Sequence, residues 1–358
     1  MTFELATAGE SHGPALLGIL SGLPAGLVLD RDAINNDLRR RQQGYGRSPR
    51  QQLEHDEVRM LAGLRHGRTL GTPLGFLIEN RDHLNWEWGM SPWPPEGEPH
   101  GKGTKAVTVP RPGHADLAGT LKHGLADARD ALERASARQT AVTVAAGAIA
   151  KALLAEIKVE VVGEVLESGD VDEAKADRDT VGGIVEVRAL GVPPGLGSYA
   201  TKDQRLDGRL AASVLSIQAV KGVEIGDGFA LARLRGSAAH DEIFQDERGL
   251  YRETNRAGGI EGGVSNGEEI VVRAAMKPLP TLMRPLRSVD LDTGGPAEAF
   301  VERSDVAAVE ALAVVAEASV AFELARAARE KFGGDALGDF VGAYDAYVER
   351  IDWQLRTP

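Results

Sequence analysis

Two short loops each hold a histidine among turn-forming residues, Gly9-Glu10-Ser11-His12-Gly13 and Arg111-Pro112-Gly113-His114-Ala115-Asp116. Between them lies an arginine cluster, Arg39, Arg40, Arg41, Arg47 and Arg50, in a chain whose formal net charge is -12. So much arginine in one short stretch of an acidic protein reads as a local anion site, not a polyanion-binding surface. Histidine moves protons near neutral pH and arginine grips phosphates and carboxylates. Together they point to an enzyme acting on a small, multiply charged metabolite.

Further along, Arg134-Ala135-Ser136-Ala137-Arg138 places two arginines one helical turn apart, where both can face one ligand across a small-residue surface. The glycine-rich stretch from Gly258 to Gly267 precedes a strong strand and reads as backbone wrapped around a cofactor ring or phosphate. Lys277-Pro278-Leu279-Pro280-Thr281 adds a cation, a rigid turn and a hydroxyl. In Arg303-Ser304-Asp305 the plain reading of Ser304 or Asp305 is a helix N-cap.

Other chemistries are disfavoured. With no cysteine, the chain has no disulfide, thiolate nucleophile or cysteine-held metal. It also lacks H-E-x-x-H, so no metal site is expected. Adjacent Ser11 and His12 at a strand end point to opposite faces, against a nucleophilic pair, and no G-x-S-x-G is present. Gly195-Leu196-Gly197-Ser198-Tyr199-Ala200 fits a relaxed dinucleotide fingerprint but follows prolines and opens no helix. The acidic charge and 5% aromatic content disfavour nucleic acid. The start of the chain has no secretory pattern and no apolar run reaches membrane-span length, so a soluble, cytoplasmic enzyme is expected.

These residues need a scaffold. Short apolar runs at Phe3 to Ala6, Leu16 to Leu20, Leu27 to Leu29 and Leu74 to Ile78 read as strands, and Arg31 to Arg41 as a helix. The Trp/Pro/Gly-rich segment 87–104 reads as a long surface loop of the kind that serves as a lid. Gln139 to Ile157 and Asp305 to Lys331 are alanine-rich and apolar on nearly all sides, as buried helices are. Strands are expected at Val159 to Leu166, Ile184 to Leu190, Val223 to Arg233 and Ile270 to Ala275, with a helix from Asp207 to Gln218. Residues 184–189 and 270–275 resemble each other, each ending in a proline turn, which suggests two duplicated sheet-and-helix halves. No linker separates halves, so a single domain over 1–358 is expected.

Taken in order, seven segments closely resemble chorismate synthases. They are the His12 loop, the Arg41-to-Arg50 stretch around Gln43-Gly44-Tyr45-Gly46-Arg47, the His114 loop, and Arg134 to Arg138. Gln218-Ala219-Val220-Lys221-Gly222, Asn255 to Gly263, and Arg303-Ser304-Asp305 complete the series. The resemblance implies an α+β fold, a β-α-β sandwich of two pseudo-repeated sheet-and-helix halves around central buried helices. It implies a carbon–oxygen lyase that eliminates phosphate from 5-enolpyruvylshikimate 3-phosphate, in an anti-1,4 sense, to give chorismate. Reduced FMN is required without net redox change, and members form homotetramers.

Carried onto this chain, His12 would protonate the departing phosphate, and His114 would protonate or hydrogen-bond the reduced flavin. Asp305 would assist removal of the substrate proton by way of the flavin N5. Arg41, Arg47, Arg50 and Arg138 would hold the substrate, with Arg41 and Arg47 also meeting NADPH where it reduces the flavin. FMN would lie against Arg134, Ala135, Ser136, Gln218, Ala219, Gly262, Lys277, Pro278, Leu279, Pro280, Thr281 and Arg303. Ala135 departs from the serine often found there, which matters only if that hydroxyl touches the flavin. A flavin reductase using NADPH on the same scaffold is the alternative.

Overall fold

The structure is a computed structural model that describes residues 2–47, 54–246, 249–301 and 305–356, the last four by backbone alone. Its first sheet contains β1 (Glu4–Ala8), β2 (Ala15–Ser21), β3 (Val58–Ala62) and β4 (Leu74–Glu79), in the order β1-β2-β4-β3. The second contains β5 (Glu160–Ser168), β6 (Gly183–Leu190), β7 (Val220–Ile225) and β8 (Ile270–Met276), in the order β5-β6-β8-β7. Every pairing in both is antiparallel. Each sheet has one wet face, and the strands alternate accordingly. Leu16 and Leu20 are buried while Leu17 and Ile19 point out, and Ile270, Val272, Ala274 and Met276 all turn inward.

The two sheets share one topology, and the helices repeat with them. Helix α1 (Arg31–Gln42) falls between the second and third strands of the first sheet, as α5 (Leu206–Leu215) does in the second. After each fourth strand comes a long buried helix, α4 (Thr140–Ala155) in the first half and α6 (Val309–Phe332) in the second. Helices α4 and α6 pack on each other, with α4 touching strands of the first sheet and α6 strands of the second. This is the expected two-half sandwich. A single cluster of buried side chains extends through it from Phe3 to Phe340.

The alanine content has a packing cause. A Cβ placed on Gly147 of α4 would come 2.3 Å from the Ala318 Cβ of α6, so only small residues allow this approach. Around the crossing, Arg40 and Lys151 both pair with Glu317, and Lys151 also meets Asp37 at 2.5 Å. This buried ion network ties α1, α4 and α6 together.

Several expectations need correction. The similar segments 184–189 and 270–275 are not equivalent strands of two halves. They belong to β6 and β8, neighbours in one sheet with Val271 opposite Arg188, and resemble each other because both are central strands. Residues 27–29 make only an isolated bridge through Val28 and Arg68. The strand read at 223–233 ends at Ile225 and gives way to a 3-10 turn, Gly228–Arg233. Helix α6 starts at Val309 without a side-chain cap, so Asp305 is not its N-cap, and Ser304 lies outside the described residues. Strand β3 and the final helix α7 (Leu337–Arg356) were not anticipated from the sequence.

Candidate active site

The expected residues converge on a cavity of about 510 Å³ between the halves, within the range of small-molecule sites. The loop after β1 brings Ser11 and His12, and the loop before α2 (Asp116–His123) brings Arg111 and His114. Arg41 comes from the last turn of α1, and Ala135 to Arg138 from the junction of α3 (Arg129–Ala135) with α4. The second half contributes Gln218 and Ala219 just before β7, Lys221 within it, Lys277, Leu279, Pro280 and Thr281 after β8, and Asp305. Ala308, Ala311, Leu312 and Val315 add an apolar wall from the start of α6.

His12 is buried and held on several sides. Glu133, fully buried on α3, accepts the His12 backbone N–H through one carboxylate oxygen and faces Nδ1 through the other, both at 2.8 Å. The imidazole stacks on Trp86 with centroids 4.0 Å apart, and Nε2 lies 4.0 Å from Asp82. The Trp86 indole donates to Asp82, which also binds Lys102. Trp86 therefore anchors the irregular segment 87–104 beneath the histidine. Gly9, at φ 109°, makes the turn into this loop, where a Cβ would strike the Ala15 carbonyl at 2.4 Å.

His114 is built differently. Its Nδ1 faces Asp116 at 2.5 Å, two residues on. Arg111 donates to both Asp116 oxygens, through Nε at 2.8 Å and Nη2 at 3.1 Å, and to the Thr281 hydroxyl at 2.9 Å. Burial opposes charge on Asp116, but the hydrogen bonds from His114 and Arg111 outweigh it. They hold the carboxyl well below the usual carboxylate range.

The arginines of the cavity rest on Asp56. This buried carboxylate accepts two bonds from Arg138, at 2.6 and 2.8 Å, and one from Arg41 at 3.2 Å. Asn80 and the Glu79 carbonyl complete the hold on Arg138, and Thr140 and the Ala137 carbonyl that on Arg41. Arg47 pairs with Asp305 at 2.8 Å, while its buried Nε has no hydrogen-bond partner among the described residues. Burial pushes the Arg41 guanidinium down to about 10; Asp56 opposes this, and Arg138 and Arg47 add to it. It stays charged at neutral pH, and such a cluster of cations favours a polyanion. Burial, then the neighbouring Lys221, lowers the Lys277 pKa in the same sense.

Some expectations separate from the cavity. Arg134 and Arg138 do not face one ligand. Ser136, extended at ψ 142°, ends α3, so Arg138 turns inward and exposed Arg134 donates to Thr7 and the Gly9 carbonyl. Gly262 sits at the tip of a small hairpin whose Gly263 carbonyl binds the Leu206 amide, away from the lining, and Pro278 faces outward. Arg39 and Arg40 do not line the cavity, Arg40 being engaged by Glu317. Arg50 and Arg303 lie outside the described residues. The residues not foreseen are Glu133, Asp56, Trp86 and Asp82. Each has an unremarkable sequence context, and only long-range packing reveals it.

The described residues hold no group of three or more histidines and carboxylates suited to a metal. No helix among them is long and apolar enough to cross a membrane.

The model of the chorismate synthase family matches residues 3–172 and 168–328. The chorismate synthase of Desulforudis audaxviator is 52% identical over 96% of this chain and 97% of its own length. That of Symbiobacterium thermophilum is 51% identical, over 96% and 98%. A crystal structure of a chorismate synthase superposes with a TM-score of 0.78 at 36% identity, covering 99% of each chain.

Proposed function

The chain belongs to the chorismate synthase family, a family of carbon–oxygen lyases, and on that premise we propose what each wall of its cavity does. The substrate is 5-enolpyruvylshikimate 3-phosphate, which loses phosphate in an anti-1,4 sense to give chorismate. One observation carries the reading: His12, His114, Asp305 and four arginines, Arg41, Arg47, Arg111 and Arg138, from distant parts of the chain, line one cavity beside an apolar wall.

A substrate with a phosphate and two carboxylates suits the pocket. Arg41 and Arg138, locked in place by Asp56, present cations that need not reorganise when the anion arrives. Arg47, with its unpartnered Nε, gains a hydrogen bond when an oxyanion enters. His12, once protonated, donates through Nε2 to the phosphate as the carbon–oxygen bond breaks, and Asp305 assists removal of the ring proton. Burial of these groups excludes water and strengthens each electrostatic contact.

The residues present also fit a flavin. Leu215, Ile217, Leu312 and Val315 offer an apolar face for a planar ring, Ala135 and Ala308 allow close approach, and Lys221 and Lys277 suit a phosphate. Reduced FMN, when bound, would lend electron density to the substrate as phosphate leaves and recover it afterwards. Ser136, Gln218, Ala219, Leu279, Pro280 and Thr281 would complete its walls. His114, set by Asp116 and Arg111, would present a hydrogen-bonding group to it. NADPH would meet Arg41 and Arg47 if this chain reduces its own flavin. A cytoplasmic homotetramer of single-domain chains completes the proposal. Outward-facing Leu17, Ile19 and Leu61 on the first sheet supply the apolar surface that self-association needs.

The test is anaerobic turnover with chemically reduced FMN at catalytic level and no NADPH. Chorismate and phosphate should appear one for one. Substrate binding without product would overturn the proposal; in a parallel assay with NADPH and oxidised FMN, stoichiometric NADPH consumption together with that failure would favour the reductase.

A further inference from the structure

The His12–Glu133 contact does more than fill space. Glu133 is fully buried, yet it spends both carboxylate oxygens on one residue: one takes the His12 backbone N–H, the other faces Nδ1, each at 2.8 Å. Ser11 adds a third tie, its amide donating to the Glu133 carbonyl at 3.1 Å. The charge behind the carboxylate is Arg129, one turn earlier on α3, with Nη1 3.7 Å from Glu133. Arg129 is itself buried, and its Nε and Nη1 have no hydrogen-bond partner among the described residues. Its guanidinium lies 5.0 Å from the Trp86 ring on which His12 stacks. Arginine, carboxylate, imidazole and indole thus close into one cluster.

A buried carboxylate is an acceptor only, so the ring atom facing it must carry the proton. We infer that Glu133 is a positioning residue that fixes His12 as the Nδ1–H tautomer, leaving Nε2 as the atom that exchanges a proton in the cavity. Its second bond, to the His12 amide, sets the loop and therefore the distance from which the ring acts. Trp86 fixes the ring plane, and Arg129 sets a positive charge 3.7 Å from the carboxylate. This rests on the proton-donor role proposed for His12. A carboxylate holding a histidine in the correct tautomer is a recurring device of proton-transfer sites.

The experiment pairs kinetics with a direct readout of the ring. Glu133→Gln can still accept a bond, but its amide can also donate to Nδ1 and stabilise the opposite tautomer. With substrate and reduced FMN supplied, it should lower kcat by about 10- to 100-fold with KM within about threefold of the parent, the scale of lost outer-shell support. In a His12→Ala background the same change should have almost no further effect, because the histidine it serves is gone. Glu133→Asp, which keeps the carboxylate, should recover part of kcat.

On the unmodified protein, 15N NMR of the His12 ring should show a protonated Nδ1 and an unprotonated Nε2 in the neutral form. An Nε2–H tautomer overturns the inference even if the Gln variant does not fold. So does unchanged kcat in Glu133→Gln, or an equal loss in the His12→Ala background. Failure of the unmodified protein to form chorismate would instead strike the functional reading, which separates the two.

Discussion

The two histidine loops face one cavity but are built by different means. His114 takes its carboxylate from Asp116, two residues away, and its arginine from Arg111, three residues back, so one hexapeptide holds the whole arrangement. His12 takes its carboxylate from Glu133, 121 residues away, and its stacking partner from Trp86. The first centre is local in sequence, with Thr281 and Lys277 tying it to the second half. The second exists only when β1, the segment around residue 82 and α3 have come together, so its geometry reports on the assembled fold. The enclosure suits the proton donor proposed for His12, and the rim suits the cofactor contact proposed for His114; the His114 side chain is 17% exposed and that of His12 8%.

The largest separation between the loops should come from replacing the histidines. His12→Ala should cut turnover by roughly 100-fold or more while substrate still binds, the usual scale for a lost general acid. His114→Ala should instead weaken retention of reduced FMN, measured by anaerobic titration. If both variants lose the same parameter, the division of labour is wrong.

Next comes the anion wall between them. Arg47→Ala should raise KM by roughly 30-fold, the equivalent of ~2 kcal/mol for a buried charged contact. It also releases Asp305 from its 2.8 Å partner. A KM within twofold of the parent would remove Arg47 from substrate binding.

The local centre makes its own prediction in stability. Asp116 is held ionised in the fold below its unfolded value, so its contribution is present above the unfolded pKa and lost as pH falls through the folded one. Asp116→Asn should therefore destabilise at pH 7 by about 3 kcal/mol, as breaking a buried pair does. The gap to the parent should shrink as pH drops below about 4. A gap independent of pH would mean packing, not charge, sets the effect.

The smallest effect is expected at Ala135, which lines the cavity with a methyl group. Ala135→Ser should change FMN affinity by no more than about threefold if backbone dominates the contact, on the scale of a single hydroxyl's net hydrogen bond.

The same contrast explains what was legible in the sequence. His12, His114 and the arginines stood out because glycine, proline and charge clustering mark them locally, and the buried helices because alanine surrounds them on every face. Glu133 did not. In Leu132-Glu133-Arg134 it looks like any solvated helix charge, and only its 121-residue partner distinguishes it. Arg134 erred in the other direction, since spacing predicted a shared face that Ser136 breaks by ending the helix. The duplication was inferred from the wrong pair of segments. The real repeat lies in strand order, with each half running first-second-fourth-third, and strand order leaves no trace in residue types.

The central claim is that His12 delivers the proton that lets phosphate leave. Its most direct test is a single-turnover measurement of phosphate release, with saturating reduced FMN and substrate under anaerobic conditions. His12→Ala should bind substrate as the parent does yet release phosphate at least about 100-fold more slowly, with chorismate appearing in step. Phosphate released at the parental rate would contradict the account.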